Sequence, residues 1–363
     1  MPTLARPDVE PHAIHGHYRS GLGHRLWILA AVALILMVLT LLDLTTGPSG
    51  MPVVDVLTAI WQGPHDFGEQ GQYKKIVTIL WQLRMPQTLM GLLVGASLGL
   101  AGLQMQTILS NPLASPFTLG FSAAAGFGAA LAIMFGAALP LPPFIVVPAA
   151  AFAMTLGACG LIYLLATLRS ASPDVLILGG IAVLFFFQSI QSLLQFLASP
   201  EVLQQIVFWL FGSLLKSSWT SVTVCAGILV SCTPFVIRDA WALTTLRLGD
   251  ANAASLGIDV ERIRRRTFII VALLTAAAVS FVGTIGFIGL IAPHVARSLV
   301  GEDHRFALPL AALTGGIILI GASVFGKLIS PAAVIPVGII TAVAGVPMLF
   351  AIIVRRSRRG DIG

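Results

Sequence analysis

The chain has 363 residues, of which 57% are hydrophobic and only 10% charged. Soluble domains carry roughly a quarter of their residues as charges, so a soluble globular protein is excluded, and at about 20 apolar residues per crossing the chain could supply on the order of ten bilayer spans. The net charge of +6 does not indicate nucleic-acid binding, because no basic patch is interleaved with aromatics outside the apolar segments; in a membrane chain it reports topology, since Lys and Arg gather on the cytoplasmic side.

Residues 1–25 are polar, and no small-residue cleavage site follows the first apolar span, which reads as an uncleaved cytoplasmic tail rather than a signal peptide. His12, His15 and His17 within it read as part of a disordered polar segment. The membrane-spanning domain is expected over 26–356, with a C-terminal tail at 357–363. Spans are expected at 26–42, 87–109, 117–139, 145–168, 175–198 and 221–237, then at 306–328 and 335–354. Between the first two, 53–61 reads as a short amphipathic helix on the outer surface, with Asp55 near its start suiting the helix dipole.

The stretch 267–300 is ambiguous. As one helix it would be about 50 Å long at 1.5 Å per residue, against a hydrocarbon core of about 30 Å, and it contains Pro293, Gly283, Gly286 and Gly289. Two shorter spans turning near Gly283 place Arg355, Arg356, Arg358 and Arg359 on the same side as Arg6, Arg19 and Arg25. The expectation is therefore an all-α polytopic protein with ten spans, both termini cytoplasmic, in the plasma (inner) membrane. Of the 21 Lys and Arg, only Lys74, Lys75, Arg84, Lys216 and Lys327 then face out.

Gly91, Gly95 and Gly99 recur every four positions, followed by Gly102, a stripe that lets helices approach closely where lipid supplies no hydrophobic drive for association. No Asp or Glu lies near the middle of a span; Asp43 and Asp174 sit at span edges. Since buried ionisable groups usually mark proton or ion paths, a gradient-coupled carrier or channel is disfavoured. The run Gly321 to Lys327 imitates the start of a phosphate-binding loop, but Leu328 stands where Ser or Thr should hold magnesium and no strand precedes it. His294 has no partner nucleophile or metal cluster, which argues against a membrane enzyme. Cys159, Cys225 and Cys232 lie in apolar spans and read as packing residues.

Two segments carry more specific information. In the basic loop 238–266, Gly249 and Gly257 bracket one or two helical turns. Asp250 can cap the start, Gly257 suits a left-handed end, and Asp259 can cap the next helix. A short rigid helix between glycines is either a lever for a partner or an interfacial helix held by anionic lipid. In the fifth span, Gln188, Gln191 and Gln195 fall at i, i+3 and i+7 with Ser192 beside them, on one helix face. Amides cannot look at acyl chains, so this face either bonds to neighbouring helices or lines a cargo pathway.

The segments Leu248-Gly249-Asp250 and Ser255-Leu256-Gly257 resemble the ATPase-coupling segment of the iron-siderophore, haem and vitamin B12 permeases, the type II (FecCD-type) ABC importers. The run Gly283 to Arg297, GTIGFIGLIAPHVAR, is similar to that family's strongest signature. Asp303-His304-Arg305, Pro336 to Gly338 and Gly345-Val-Pro347 follow in order. Upstream, Arg84-Met-Pro86, Gln106, Asn111 to Ala114 and Pro116 to Gly120 match as well. The likeness covers about residues 80–356.

The resemblance implies a type II importer permease fold and a transport subunit rather than an enzyme. Its implied partners are two ATPase subunits carrying ATP and magnesium, a second permease (a copy or a related chain) and a periplasmic binding protein delivering an iron chelate. A ferric siderophore suits an amide-lined wall better than haem, with haem or a corrinoid as alternatives. No cofactor or metal is expected on this chain. Leu248, Gly249, Asp250, Ala254, Ser255, Leu256 and Gly257 would enter a cleft on the ATPase. Arg84 and Lys327 would meet carboxylates of the binding protein, or else snorkel at the interface. Gln188, Gln191, Ser192 and Gln195 would border the pathway. Gln87, Ser110, Ser323 and Val334 depart from the family pattern.

Overall fold

The structure is a computed structural model that describes residues 11–48, 50–64, 72–138, 140–168, 172–330 and 335–358. Residues 1–10 of the expected tail, Val334 and 359–363 lie outside the described residues, as do the side chains of His12, His15, His17, Lys74, Arg355, Arg356 and Arg358. The described residues form fourteen α-helices: α1 Pro11–Thr45, α2 Val53–Gln62, α3 Gln72–Ile79, α4 Met85–Ile108, α5 Phe121–Phe135, α6 Pro143–Leu168, α7 Pro173–Leu197, α8 Pro200–Leu210, α9 Trp219–Leu246, α10 Asp250–Ser255, α11 Val260–Val282, α12 Ile288–Val300, α13 His304–Ile329 and α14 Val337–Arg358. Seven helices are long and apolar enough to cross a membrane; α5, α12 and the apolar part of α14 are shorter. These ten correspond in order to the ten expected spans.

The local chemistry sets the helix ends. Ser172 and Ser199 cap α7 and α8 by accepting from Val175 and Val202 backbone N–H groups, with Pro173 and Pro200 at positions where the missing N–H is no loss. Ser218 and Ser221 cap α9 reciprocally. Gly283, at φ +78°, ends α11, as the sequence reading required, and α12 follows as a helix of 13 residues, about 20 Å long at 1.5 Å per residue.

Several elements differ from the expectation. Residues 11–25, read as a polar tail, are already helical, because a polar helix end can continue into water without losing its internal hydrogen bonds. Residues 109–120 turn repeatedly before α5, so the third span starts four residues late. The short helices α3 and α8 were not foreseen. And α9 runs on to Leu246: the first third of the basic loop is helix, because Asp239 is buried on α9 and is held by both Nε and Nη2 of Arg266 on α11.

α4 is the central helix. From Gly91 to Ile108 most of its residues are buried, and α13, α11, α12 and α9 surround it. The glycine stripe explains how. A Cβ at Gly95 would meet the Gly315 carbonyl oxygen at 2.5 Å, one at Gly99 would strike the Ala311 carbonyl, and one at Gly102 the Gly289 carbonyl. The stripe is thus a backbone-to-backbone seam between α4 and both α13 and α12.

The bundle has two distinct ends. The basic end gathers the loops 109–120, 247–259 and 301–303. The opposite end carries α2, α3 and the start of α8, and there Trp81 stacks on Trp219 with ring centroids 6.0 Å apart. Pairs of tryptophans at a helix-bundle end are characteristic of the membrane–water boundary. The 283–287 turn lies between the two ends: Ser213 N–H donates to the Val282 carbonyl and Gly338 N–H to the Gly212 carbonyl, and a Cβ at Gly286 would stand 4.0 Å from Phe117.

Candidate functional site

At the basic end, α10 forms a one-and-a-half-turn helix between Gly249 (φ +99°) and Gly257 (φ +81°). Both glycines hold left-handed or otherwise positive φ that a side chain would strain, and a Cβ added at either would meet nothing within 4 Å, so backbone conformation rather than crowding requires them. Ala253 is fully buried and plugs α10 into the core. Every other residue from Leu248 to Gly257 is exposed, including Leu248 at 64% and Leu256 at 57%. All seven residues expected at the coupling segment therefore share one protruding surface with a leucine at each end.

Asp250 does not cap α10: Gly249 holds the cap position with no side-chain bond. Asp250 instead accepts two hydrogen bonds of 3.0 Å from one terminal nitrogen of Arg264. Asp259 does cap α11, accepting from the Arg262 N–H at 3.0 Å. Nearby, Asp303 caps α13 through the Arg305 N–H and pairs with Arg305 at 2.8 Å and Arg25 at 3.6 Å. The Arg305 side-chain hydrogen bond, more than the charges of Arg305 and Arg25, holds the Asp303 carboxyl below its ordinary value.

On α7 the buried stripe is Leu176, Gly180, Val183, Phe187 and Leu194. Gln188 and Ser192 are exposed and Gln191 and Gln195 half-buried. The four share a strip between the buried stripe and an exposed apolar face that includes Phe185 and Phe196. Gln191 leans on α5, where its Oε1 occupies the space that a side chain at Gly126 would need. One member of the expected pathway face thus also packs between helices.

Arg84 and Lys327, expected to dock the binding protein, are both engaged within the bundle. Both lie at the opposite end, but they are buried, at 5% and 8% exposure. Lys327 Nζ is 2.7 Å from Asp43 Oδ1 and 3.0 Å from the Asp43 carbonyl. Thr88 donates to Asp43 Oδ2 at 2.6 Å, and Arg84 donates to the Leu44 carbonyl at 2.5 Å. Arg84 ends a π-helical turn, Leu80–Arg84, that leads into α4. In this conformation neither cation is presented to a partner; both close the end of α1 onto α4 and α13. Lys327 also sits inside a continuous helix, so the phosphate-loop lookalike is no loop.

Three residues that carry this geometry escaped the sequence reading. Asp43 was seen only as a span-edge carboxylate, although a lone acid two residues before the end of an apolar helix is a signal for a buried partner. Arg264 was lost in a run of three arginines. His304, fully buried, stands 2.7 Å from Thr107 Oγ1 and 3.1 Å from the Glu302 carbonyl.

Residues 35–355 match the FecCD transport family. The chain is 36% identical over 304 residues to the cobalamin import system permease protein BtuC of Halobacterium salinarum, covering 84% of this chain and 80% of that one. It is 34% identical over 324 residues to the Fe(3+) dicitrate transport system permease protein FecD of Escherichia coli, covering 89% and 97%. It is 32% identical over 283 residues to the hemin transport system permease protein HmuU of Yersinia pestis, covering 76% and 84%. A solved metal-chelate-type ABC transporter in an inward-facing conformation superposes with a TM-score of 0.79 at 28% identity, over 90% of this chain and 99% of that one.

Proposed function

The chain belongs to the FecCD transport family of ABC-importer permeases, and on that footing we propose that it forms the membrane passage of an ATP-driven importer of an iron chelate, a ferric siderophore by preference. The basic end faces the cytoplasm, as do both termini. Two separate ATPase subunits with ATP and magnesium supply the work, a second permease subunit completes the passage, and a periplasmic binding protein delivers the cargo.

The protruding α10 surface carries this reading. An aqueous helix with exposed Leu248 and Leu256, flanked by glycines and anchored by buried Ala253 and the Asp250–Arg264 pair, is an incomplete surface. Exposed leucines that insert into a partner's cleft contribute binding energy by burial, at about 25 cal/mol per Å². Lipid offers no comparable fit for a helix standing off the bundle end. The amide strip on α7 gives the pathway its polar wall, and the hydroxyl of Ser192 extends it; such donors and acceptors suit a chelate rich in carbonyl or hydroxamate oxygens.

The test is reconstitution in vesicles with the ATPase and the binding protein. The binding protein is first screened against ferric citrate, a ferric hydroxamate, haem and cobalamin. Loaded binding protein should raise ATP hydrolysis and drive uptake of the retained compound. Uptake driven by an imposed ion gradient without ATPase would refute the proposal, and retention of cobalamin or haem alone would reassign the cargo.

A further inference from the structure

Gln106, Thr107 and Ile108 are the last three residues of α4, and each is bonded to a different helix. Gln106 Oε1 accepts from Arg297 of α12. Thr107 Oγ1 meets His304 of α13. The Ile108 carbonyl accepts from Arg264 Nε of α11 at 3.0 Å. Carbonyls in a helix's last turn have no partner within the helix, so the arginine satisfies a group that would otherwise be stranded.

Arg264 is itself buried, with 7% of its side chain accessible, while its partner Asp250 is half exposed. One guanidinium therefore holds Ile108 on the central helix and Asp250 on α10 at the same time. A second chain of contacts converges on the same place. Arg247, just before α10, bonds Glu302 at 3.0 Å; Glu302 lies 3.8 Å from Arg297; and Arg297 holds Gln106. At its other end α4 carries Thr88, bonded to Asp43. The helix thus runs from the α10 anchor to the buried charge cluster of the opposite end.

We propose that Arg264 is a positioning residue for transport: it transmits the position of α10 to the cytoplasmic end of α4, so that a displacement imposed on α10 moves the helix around which the bundle packs. The inference rests on the reading that α10 docks an ATPase. The choice of side chain supports it. A guanidinium presents Nε–H and Nη–H donors in a rigid planar fork and serves acceptors on two elements at once. An ammonium is a single point of charge on a flexible stem, so Lys at this position can hold Asp250 or the Ile108 carbonyl but cannot span them.

The experiment uses the complete reconstituted complex, loaded with whichever of ferric citrate, ferric hydroxamate, haem or cobalamin its binding protein retains. Uptake per ATP hydrolysed is measured for the wild type, Arg264→Lys, Asp250→Asn and the double variant. ATPase association is measured separately by co-purification. Each single variant should lower uptake per ATP at least fivefold with the ATPase still bound. The double variant should be no worse than the poorer single one, since both break one link. A purely structural arginine would instead lower yield and thermal midpoint while each assembled complex kept its stoichiometry, and that result overturns the proposal. Independent, multiplying effects overturn it too. Should Arg264→Lys fail to assemble, Asp250→Asn decides alone, because Asp250 is half exposed and its replacement is isosteric. Failure of the wild-type ATPase to engage α10, by cross-linking from Ala254→Cys, would refute the underlying function rather than the link.

Discussion

Lys327 Nζ lies 2.7 Å from Asp43 Oδ1, with 8% and 0% of the two side chains accessible. A cation near the end of α13 and a carboxylate near the end of α1 neutralise each other inside the bundle, with Thr88 of α4 completing the carboxylate's bonds. The contact ties three helices at the end opposite the basic loop.

Breaking this pair from one side should be costly. Removal of one member of a buried ion pair strands the other charge, at about 3–5 kcal/mol. Asp43→Ala is expected to lower the thermal midpoint of the detergent-solubilised protein sharply, and Asp43→Leu combined with Lys327→Met should recover most of the loss. Association with the binding protein, followed across a salt series, is expected to be unaffected in the assembled double variant. A weakened and less salt-sensitive association would restore the docking role for Lys327.

Leu256→Ser and Leu248→Ser remove exposed side chains and should leave the permease folded. As anchors at the two ends of a small interface they are expected to weaken ATPase binding by tenfold or more each, about 1.4 kcal/mol. Titration of the purified ATPase against the permease in nanodiscs checks this; unchanged affinity in both variants would remove α10 from the interface.

Gln188→Leu with Gln195→Leu replaces two amides of the α7 strip while sparing Gln191, whose contact with α5 is structural. Vesicle uptake of the retained chelate should fall several-fold, with complex assembly and stimulated ATP hydrolysis preserved. Undiminished uptake would assign the strip to helix packing instead of the pathway.

Acid should release the Asp303 cap. Its folded-state pKa is below the ordinary value of 3.8, first because of the Arg305 side-chain hydrogen bond. The folded state therefore binds this proton less readily than the unfolded chain, and the stabilisation is fully present above that ordinary value and fades as pH falls through the lower one. Asp303→Asn should reduce the thermal midpoint at neutral pH, and the gap from wild type should close on acidification. A gap that widens in acid contradicts the assigned direction.

Much of the architecture was legible in the chain itself. Runs of apolar residues long enough to cross a bilayer, the distribution of Lys and Arg, and punctuation by Gly283 give ten helices in the right order. Gly249 and Gly257 give the bounds of α10 because a positive φ is a local demand that glycine answers wherever it falls. The glycine stripe on α4 announced a close crossing, though not which helix would meet it. The amide strip of α7 was equally visible as a face, but its surroundings were not.

What the sequence determined by itself is what depends on composition and on near neighbours: membrane embedding, helix order, the Asp259 cap, the glycine turns and the protruding short helix. Tertiary structure alone decided the pairings between distant charges. Nothing local to Asp43, Lys327, Asp250 or Arg264 says which opposite charge each will meet, since the partners are 284 and 14 residues apart. A cation in an outer loop and a cation folded against a buried carboxylate have the same letter in the sequence. Only packing, which removes water from both members at once, turns the second into a structural tie.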